Sequence, residues 1–157
     1  MDANLQEAVP GHRTQPPTIF YPLLISLVVA HLLFPLAIVI HPPYSYLGIT
    51  PVVFGIVMNI WADRLLKRHG TPVKSHARPT SLVTSGPFRI SRHPMYCGMA
   101  AILLGAAVLL GSATTFIFPL AFMIVMKLAF IPQEERRMIE RFGHGYTEYR
   151  KRIRRWF

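Results

Sequence analysis

Four apolar runs divide the chain: Ile19 to Ile40, Tyr46 to Ala62, Met95 to Gly111, and Ala113 to Ile131. Each is close to the ~20 residues that carry a helix across ~30 Å of hydrocarbon. The pattern therefore predicts an all-α, polytopic membrane protein with transmembrane helices at about 19–40, 46–62, 95–111 and 113–131. Polar residues 63–93 form a connecting loop, and residues 132–157 form a tail. Within that tail Ile139, Phe142, Tyr146, Tyr149 and Ile153 recur at intervals of 3, 4, 3 and 4, the period of an amphipathic helix. It is expected to lie along the membrane interface and cap the mouth of the last helical pair, with Gly143 and Gly145 weakening its middle.

Two crossings carry features that interrupt the pattern. Pro35 is expected to kink the first, which also holds His31, read as a packing residue or a hydrogen-bonding partner of another helix. In the third, Gly98, Ala101 and Gly105 share one face, which lets a second helix approach closely. Gly98 also leaves room for a bound molecule near the polar end.

Composition supports the membrane reading, since 52% of the 157 residues are apolar and 15% are charged. What remains outside the four runs is too short and too basic to build a second, soluble core. Residues 1–18 hold Asp2, Glu7 and three prolines, so they read as a mobile leader rather than the basic start of a cleaved signal. The lone Cys97 excludes an intramolecular disulfide and a multi-cysteine metal site.

The net charge is +10, and its distribution matters more than its size. Seven of the 17 Lys and Arg residues lie between Asp63 and His93, and eight lie between Pro132 and Phe157. Basic loops stay cytoplasmic, so both termini and the central loop are expected on that side, facing anionic lipid rather than nucleic acid. Lys127, about one turn inside the last crossing, would snorkel to the same surface.

This topology brings two distant segments together. The turn Gly111-Ser112-Ala113 is too short for anything but a tight antiparallel hairpin, and helices of about 18 residues rise ~27 Å each. Arg92-His93 and Glu134-Glu135, 42 positions apart, must therefore meet at one membrane face. Pro87 and Pro94 keep the segment between Thr80 and Gly98 from forming one helix, and Pro94 suits the first turn of the helix that follows.

The run L-V-T-S-G-P-F-R-I-S-R-H-P-M-Y-C-G, followed by Glu134-Glu135 and F-G-H-G-Y-T-E-Y, resembles the isoprenylcysteine carboxyl methyltransferases and the related phospholipid methyltransferases. The likeness covers about half the chain, from Thr80 to Arg154. It implies an integral-membrane enzyme that uses S-adenosylmethionine on a lipid-like or prenylcysteine-like acceptor entering from the bilayer. Cofactor contacts are implied at Thr80, Ser81, Leu82, Val83, Phe88, His93, Pro94, Met95, Tyr96, Gly98, Glu134 and Glu135.

In that reading Glu134 or Glu135 takes the ribose hydroxyls or the ammonium, and Arg92 or His93 meets the carboxylate. Phe88 or Tyr96 packs on adenine. Arg92 and His93 are the candidate catalytic residues. Phe130 stands where the isoprenylcysteine branch has a substrate arginine, so Lys127, one turn earlier, is the candidate substrate contact. Gly98-Met99-Ala100 replaces the Gly-x-Gly of the phospholipid branch. A carboxylate acceptor needs no base, which favours O-methylation over N-methylation. Two further readings stand beside this one. Membrane sterol and steroid reductases share the arginine-histidine-proline motif but bind NADPH and usually carry Asn where Met95 stands, and a basic tail also suits a non-enzymatic lipid-binding protein.

Overall fold

The computed structural model describes residues 16–71 and 80–156. Residues 1–15 of the expected leader 1–18 and part of the central loop, 72–79, lie outside the described residues, while 16–18 of that leader already belong to a helix. Among the described residues six α-helices follow in order: α1 Pro16–Leu33, α2 Ile49–Arg68, α3 Pro94–Leu110, α4 Ile117–Val125, α5 Ile131–Phe142 and α6 His144–Arg152. No strand longer than an isolated bridge occurs among the described residues. Three helical stretches, Pro16–Leu33, Tyr44–Arg68 and Ala113–Phe142, are long and apolar enough to span a bilayer, and the 17-residue α3 is a shorter apolar helix. The chain is thus an all-α polytopic membrane protein.

The first helix stops at Leu33 instead of bending at Pro35 and running on to Ile40. The residue before a proline is disfavoured in α geometry, so Phe34 marks the exit. The segment that follows finds its backbone partners at the far end of the hairpin. Val39 and Ile40 N–H both donate to the Gly111 carbonyl at 2.8 and 3.2 Å, and Ala113 N–H donates to the Ala37 carbonyl at 3.0 Å. Gly111 itself adopts a left-handed φ of 68°, which closes α3 and permits the sharp reversal.

The connection of residues 34–48 also lets α1 leave its sequence neighbour. Instead of pairing with α2, α1 sends Phe20 and Leu27 into a core with Met99, Leu103 and Ala107 of α3 and Phe122 of α4. The partner of α3 on its other side is α2, brought close by two glycine pairs. A Cβ on Gly98 would overlap Asn59 Nδ2 and lie 2.8 Å from the Gly55 carbonyl, and one on Gly48 would overlap the Gly105 carbonyl. The close approach expected along Gly98 and Gly105 is therefore made by α2.

Both polar boundaries lie further along the chain than the apolar runs suggested. α2 continues to Arg68, so residues 63–68 are helical, and Lys67 reaches back one turn to Asp63 at 2.7 Å. After α4 the chain does not stop at Ile131 either. Met126–Phe130 winds as a π-helix, with Ile131 N–H donating five residues back to Met126, and α5 follows without a break. Pro132 has no N–H and crowds the turn before it, and the wider π winding absorbs that disturbance. The amphipathic stripe is then cut in two, because Gly143 takes φ 51° and ψ −120° and ends α5.

Candidate functional site

The first turn of α3 and the first turn of α5 sit side by side. This follows from the hairpin between them, and it brings Arg92, His93, Tyr96, Glu134 and Glu135 into one cluster. Arg92 Nη1 lies 2.9 Å from Glu135 Oε1, with both side chains no more than 6% exposed. The His93 ring lies between the carboxylates, with Nδ1 3.5 Å from Glu134 Oε2 and Nε2 3.6 Å from Glu135 Oε1. Tyr96 Oη donates to Glu134 Oε2 at 2.7 Å, and its ring stacks on His93 with centroids 5.4 Å apart.

The two adjacent acids have different surroundings. Consecutive residues point about 100° apart around a helix, so one carboxylate turns inward and the other outward. Glu135 is buried beside the His93 ring and held by two arginines: Arg92, and Arg155, which grips it with Nε at 3.1 Å and Nη2 at 2.9 Å. Glu134 is 45% exposed and faces the mouth. Burial works against a charged His93, but the attraction of the adjacent Glu134 and Glu135 carboxylates outweighs it and holds its pKa above the ordinary 6.5.

The segment after α6 completes the cluster. Arg92 N–H donates to the Arg154 carbonyl at 3.0 Å, and Ser91 Oγ donates to the Arg155 carbonyl at 2.8 Å while accepting the His93 N–H at 3.1 Å. Tyr149 Oη donates to the Phe88 carbonyl at 2.6 Å, tying α6 to the loop before α3. Tyr146 is buried beside this knot; desolvation first, then the neighbouring Glu135, push its phenol up to about 12. The sequence reading placed Tyr146 and Tyr149 on an apolar stripe and gave Arg155 no role. Eight cations share that tail, and nothing in their spacing singles out one.

The remaining candidates fall around this centre. Thr80 and Ser81 are bound to the end of α2, through Thr80 Oγ1 to the Gly70 carbonyl at 2.9 Å and Ser81 Oγ to Thr71 Oγ1 at 2.8 Å. Val83 is buried, Leu82 reaches the start of α6 near Gly145, and Pro94 and Met95 open α3. Gly98 is turned toward Asn59 and Gly55, so helix contact accounts for the glycine there without a bound molecule. Lys127 is exposed on the π-helical stretch, one turn or more before the acidic pair. Among the described residues there is no group of three or more metal-ligating side chains.

A family model described as phospholipid methyltransferase matches residues 44–145, reaching back through α2 beyond the motifs that carry the sequence resemblance. The Arabidopsis thaliana protein-S-isoprenylcysteine O-methyltransferase B is 32% identical over 114 residues, covering 69% of this chain and 56% of that protein. The Schizosaccharomyces pombe protein-S-isoprenylcysteine O-methyltransferase is 37% identical over 75 residues, 46% of this chain and 30% of its own length. A probable enzyme of the same name from Oryza sativa subsp. japonica is 32% identical over 114 residues, covering 69% and 58%. The chain thus spans between 30% and 58% of the length of these curated relatives. No solved structure matches it.

Proposed function

The chain belongs to the phospholipid methyltransferase family, and from that premise we propose that it moves a methyl group from S-adenosylmethionine to a lipid-like acceptor at the mouth between α3 and α5. The observation that carries this reading is the division of labour between the two acids: Glu135 is buried and fully paired, whereas Glu134 offers a half-exposed carboxylate held by Tyr96 and His93. S-adenosylmethionine supplies an electrophilic methyl on a sulfonium, next to an ammonium and a ribose diol. Glu134 suits either of the last two.

The polar inventory fits such a ligand. Arg92 Nε and His93 Nε2 are buried without a hydrogen-bond partner among the described residues, a costly state that added acceptors at the mouth would relieve. Arg92 gives one nitrogen to Glu135, and its unpartnered Nε is the donor left to meet the cofactor's carboxylate. The Tyr96 ring already lies on His93, so Phe88, half-buried at the loop, is the better surface for adenine. Leu82, Val83, Pro94 and Met95 enclose the ligand, with Thr80 and Ser81 at its rim.

Transfer itself is an in-line displacement in which positioning supplies much of the rate. A carboxylate acceptor attacks without losing a proton, so O-methylation of a prenylcysteine-like acid is favoured over N-methylation. The names of the relatives support the same class. Lys127, exposed on the helix that carries Glu134, would hold the acceptor's anionic end, and the acceptor's apolar part would enter from the bilayer between helices. The basic loop and tail support a cytoplasmic position for this mouth, against anionic lipid.

The test uses the full chain in lipid nanodiscs with methyl-labelled S-adenosylmethionine and a panel of prenylcysteines and phospholipids. Label is expected in a base-labile ester on the prenylcysteine, and Glu134→Gln is expected to abolish cofactor binding in calorimetry. Unchanged affinity in that variant overturns the assignment. NADPH affinity without S-adenosylmethionine affinity would replace the reaction.

A further inference from the structure

Arg155 lies outside every sequence motif, yet it makes the only two-pronged contact with a buried carboxylate among the described ion pairs. Its backbone is fixed by the same loop that sets His93. The Arg155 carbonyl accepts from Ser91 Oγ, whose oxygen in turn receives the His93 N–H, and the preceding Arg154 carbonyl accepts from Arg92 N–H. A cation on the segment after α6 is thereby brought to Glu135, sharing Oε1 with Arg92 and reaching Oε2 as well.

We propose that Arg155 is a positioning residue which, acting through Glu135, loosens the hold of His93 on Glu134 and so leaves that carboxylate open to a cationic ligand. The inference rests on the reading of Glu134 as the ligand-facing acid. The charges around the imidazole are few and nameable. From α5 it faces Glu134 at 3.5 Å and Glu135 at 3.6 Å, with Arg137 acting on Glu134. The loop contributes Arg92, α3 contributes Tyr96 stacked on the ring, α6 contributes Tyr146 beside Arg92 and Glu135, and the following segment contributes Arg155.

Two acids against one imidazole favour the imidazolium, and an imidazolium pairs with Glu134. A ligand ammonium or sulfonium competes for that same oxygen. Glu135 is the acid whose field can be reduced, because Arg92 binds its Oε1 and Arg155 spans both of its oxygens. With both in place Glu135 is compensated and His93 releases its proton sooner; without Arg155 the uncompensated charge holds the proton on His93 to higher pH. Arg155 need not touch the ligand for this, since it acts on the pH at which Glu134 becomes free.

The experiment compares wild type with Arg155→Ala, Arg155→Gln and Arg155→Lys, each as the full chain in nanodiscs. S-adenosylmethionine affinity is measured by calorimetry from pH 5.5 to 8.5, and the His93 ring is titrated by NMR without ligand. Arg155→Ala and Arg155→Gln are expected to move both midpoints upward by roughly half a unit to one unit, which weakens affinity about two- to fivefold at the wild-type midpoint and about three- to tenfold well below it. Arg155→Lys, which keeps the charge, is expected to cancel most of that shift. A purely structural role would lower affinity equally at every pH and leave the His93 midpoint in place, and that result overturns the proposal, as does a downward shift. If Arg155→Ala does not fold, the Gln and Lys variants carry the same comparison. If wild type has no affinity for S-adenosylmethionine, the methyltransferase reading falls, and the His93 midpoint alone still decides what Arg155 does.

Discussion

Replacing Glu135 with Gln tests how the mouth is held together. The substitution keeps the shape of the side chain and removes its charge, leaving Arg92, whose side chain is 6% exposed, as a buried cation with its carboxylate partner gone. Breaking a buried pair by removing one member costs about 3–5 kcal/mol, because the remaining ion has lost its compensation. Arg155 adds little to that figure, since its side chain is 36% exposed and water takes over much of its solvation. At about 2–4 °C per kcal/mol for a domain of this length, the midpoint of thermal unfolding should fall by roughly 6–20 °C. The assay is tryptophan fluorescence or circular dichroism on detergent-solubilised protein. The double variant Arg92→Leu/Glu135→Leu removes both charges together and should recover most of the loss. A fall below about 2 °C in Glu135→Gln, no larger than that of Glu148→Gln at the exposed pair with Lys151, would refute the view that Glu135 locks the site.

Three further outcomes follow from the same geometry. Gly98→Ala should lower stability by about 1–3 kcal/mol, since its methyl would overlap Asn59 and meet the Gly55 carbonyl at 2.8 Å; an unchanged unfolding midpoint would mean that α2 and α3 separate freely. His93 has a folded-state pKa raised above 6.5, so the stability it contributes as an imidazolium is fully present below pH 6.5 and is lost as pH rises through the folded value. The gap in unfolding midpoint between wild type and His93→Gln should accordingly narrow with rising pH, and a gap that widens is the wrong sign. Tyr149→Phe removes the 2.6 Å hydrogen bond to the Phe88 carbonyl and should destabilise by about 1 kcal/mol, read as a lower midpoint in urea or heat.

The meeting of Arg92-His93 with Glu134-Glu135 was legible from the sequence because it needs only local rules: a turn too short to wander and a fixed rise per residue. The roles of the two acids were not. Their separation depends on the phase at which α5 starts, and that phase is set by the π-helical stretch at Met126–Phe130, which no apolar pattern announces. Lys127 sits inside the same stretch, so its direction was equally hidden. Pro35 was visible, but whether it bends a helix or ends one depended on partners for the freed backbone, and these lie at Gly111 and Ala113 on a distant turn. Arg155 was the least accessible, one cation among eight in the tail, chosen by where Ser91 and Arg92 anchor the chain.

The hairpin of α3 and α4 is fastened differently at its two ends. At Gly111–Ala113 the fastening is main-chain amide to carbonyl, which neither protons nor salt can loosen. At Arg92 and Glu135 it is side-chain charge, too buried for salt to screen but open to protonation. A pair of arms riveted at the base and clasped electrostatically at the tips yields at the tips first, so acidity reaches this protein's rigidity where the acids and the histidine gather, and leaves the opposite end untouched.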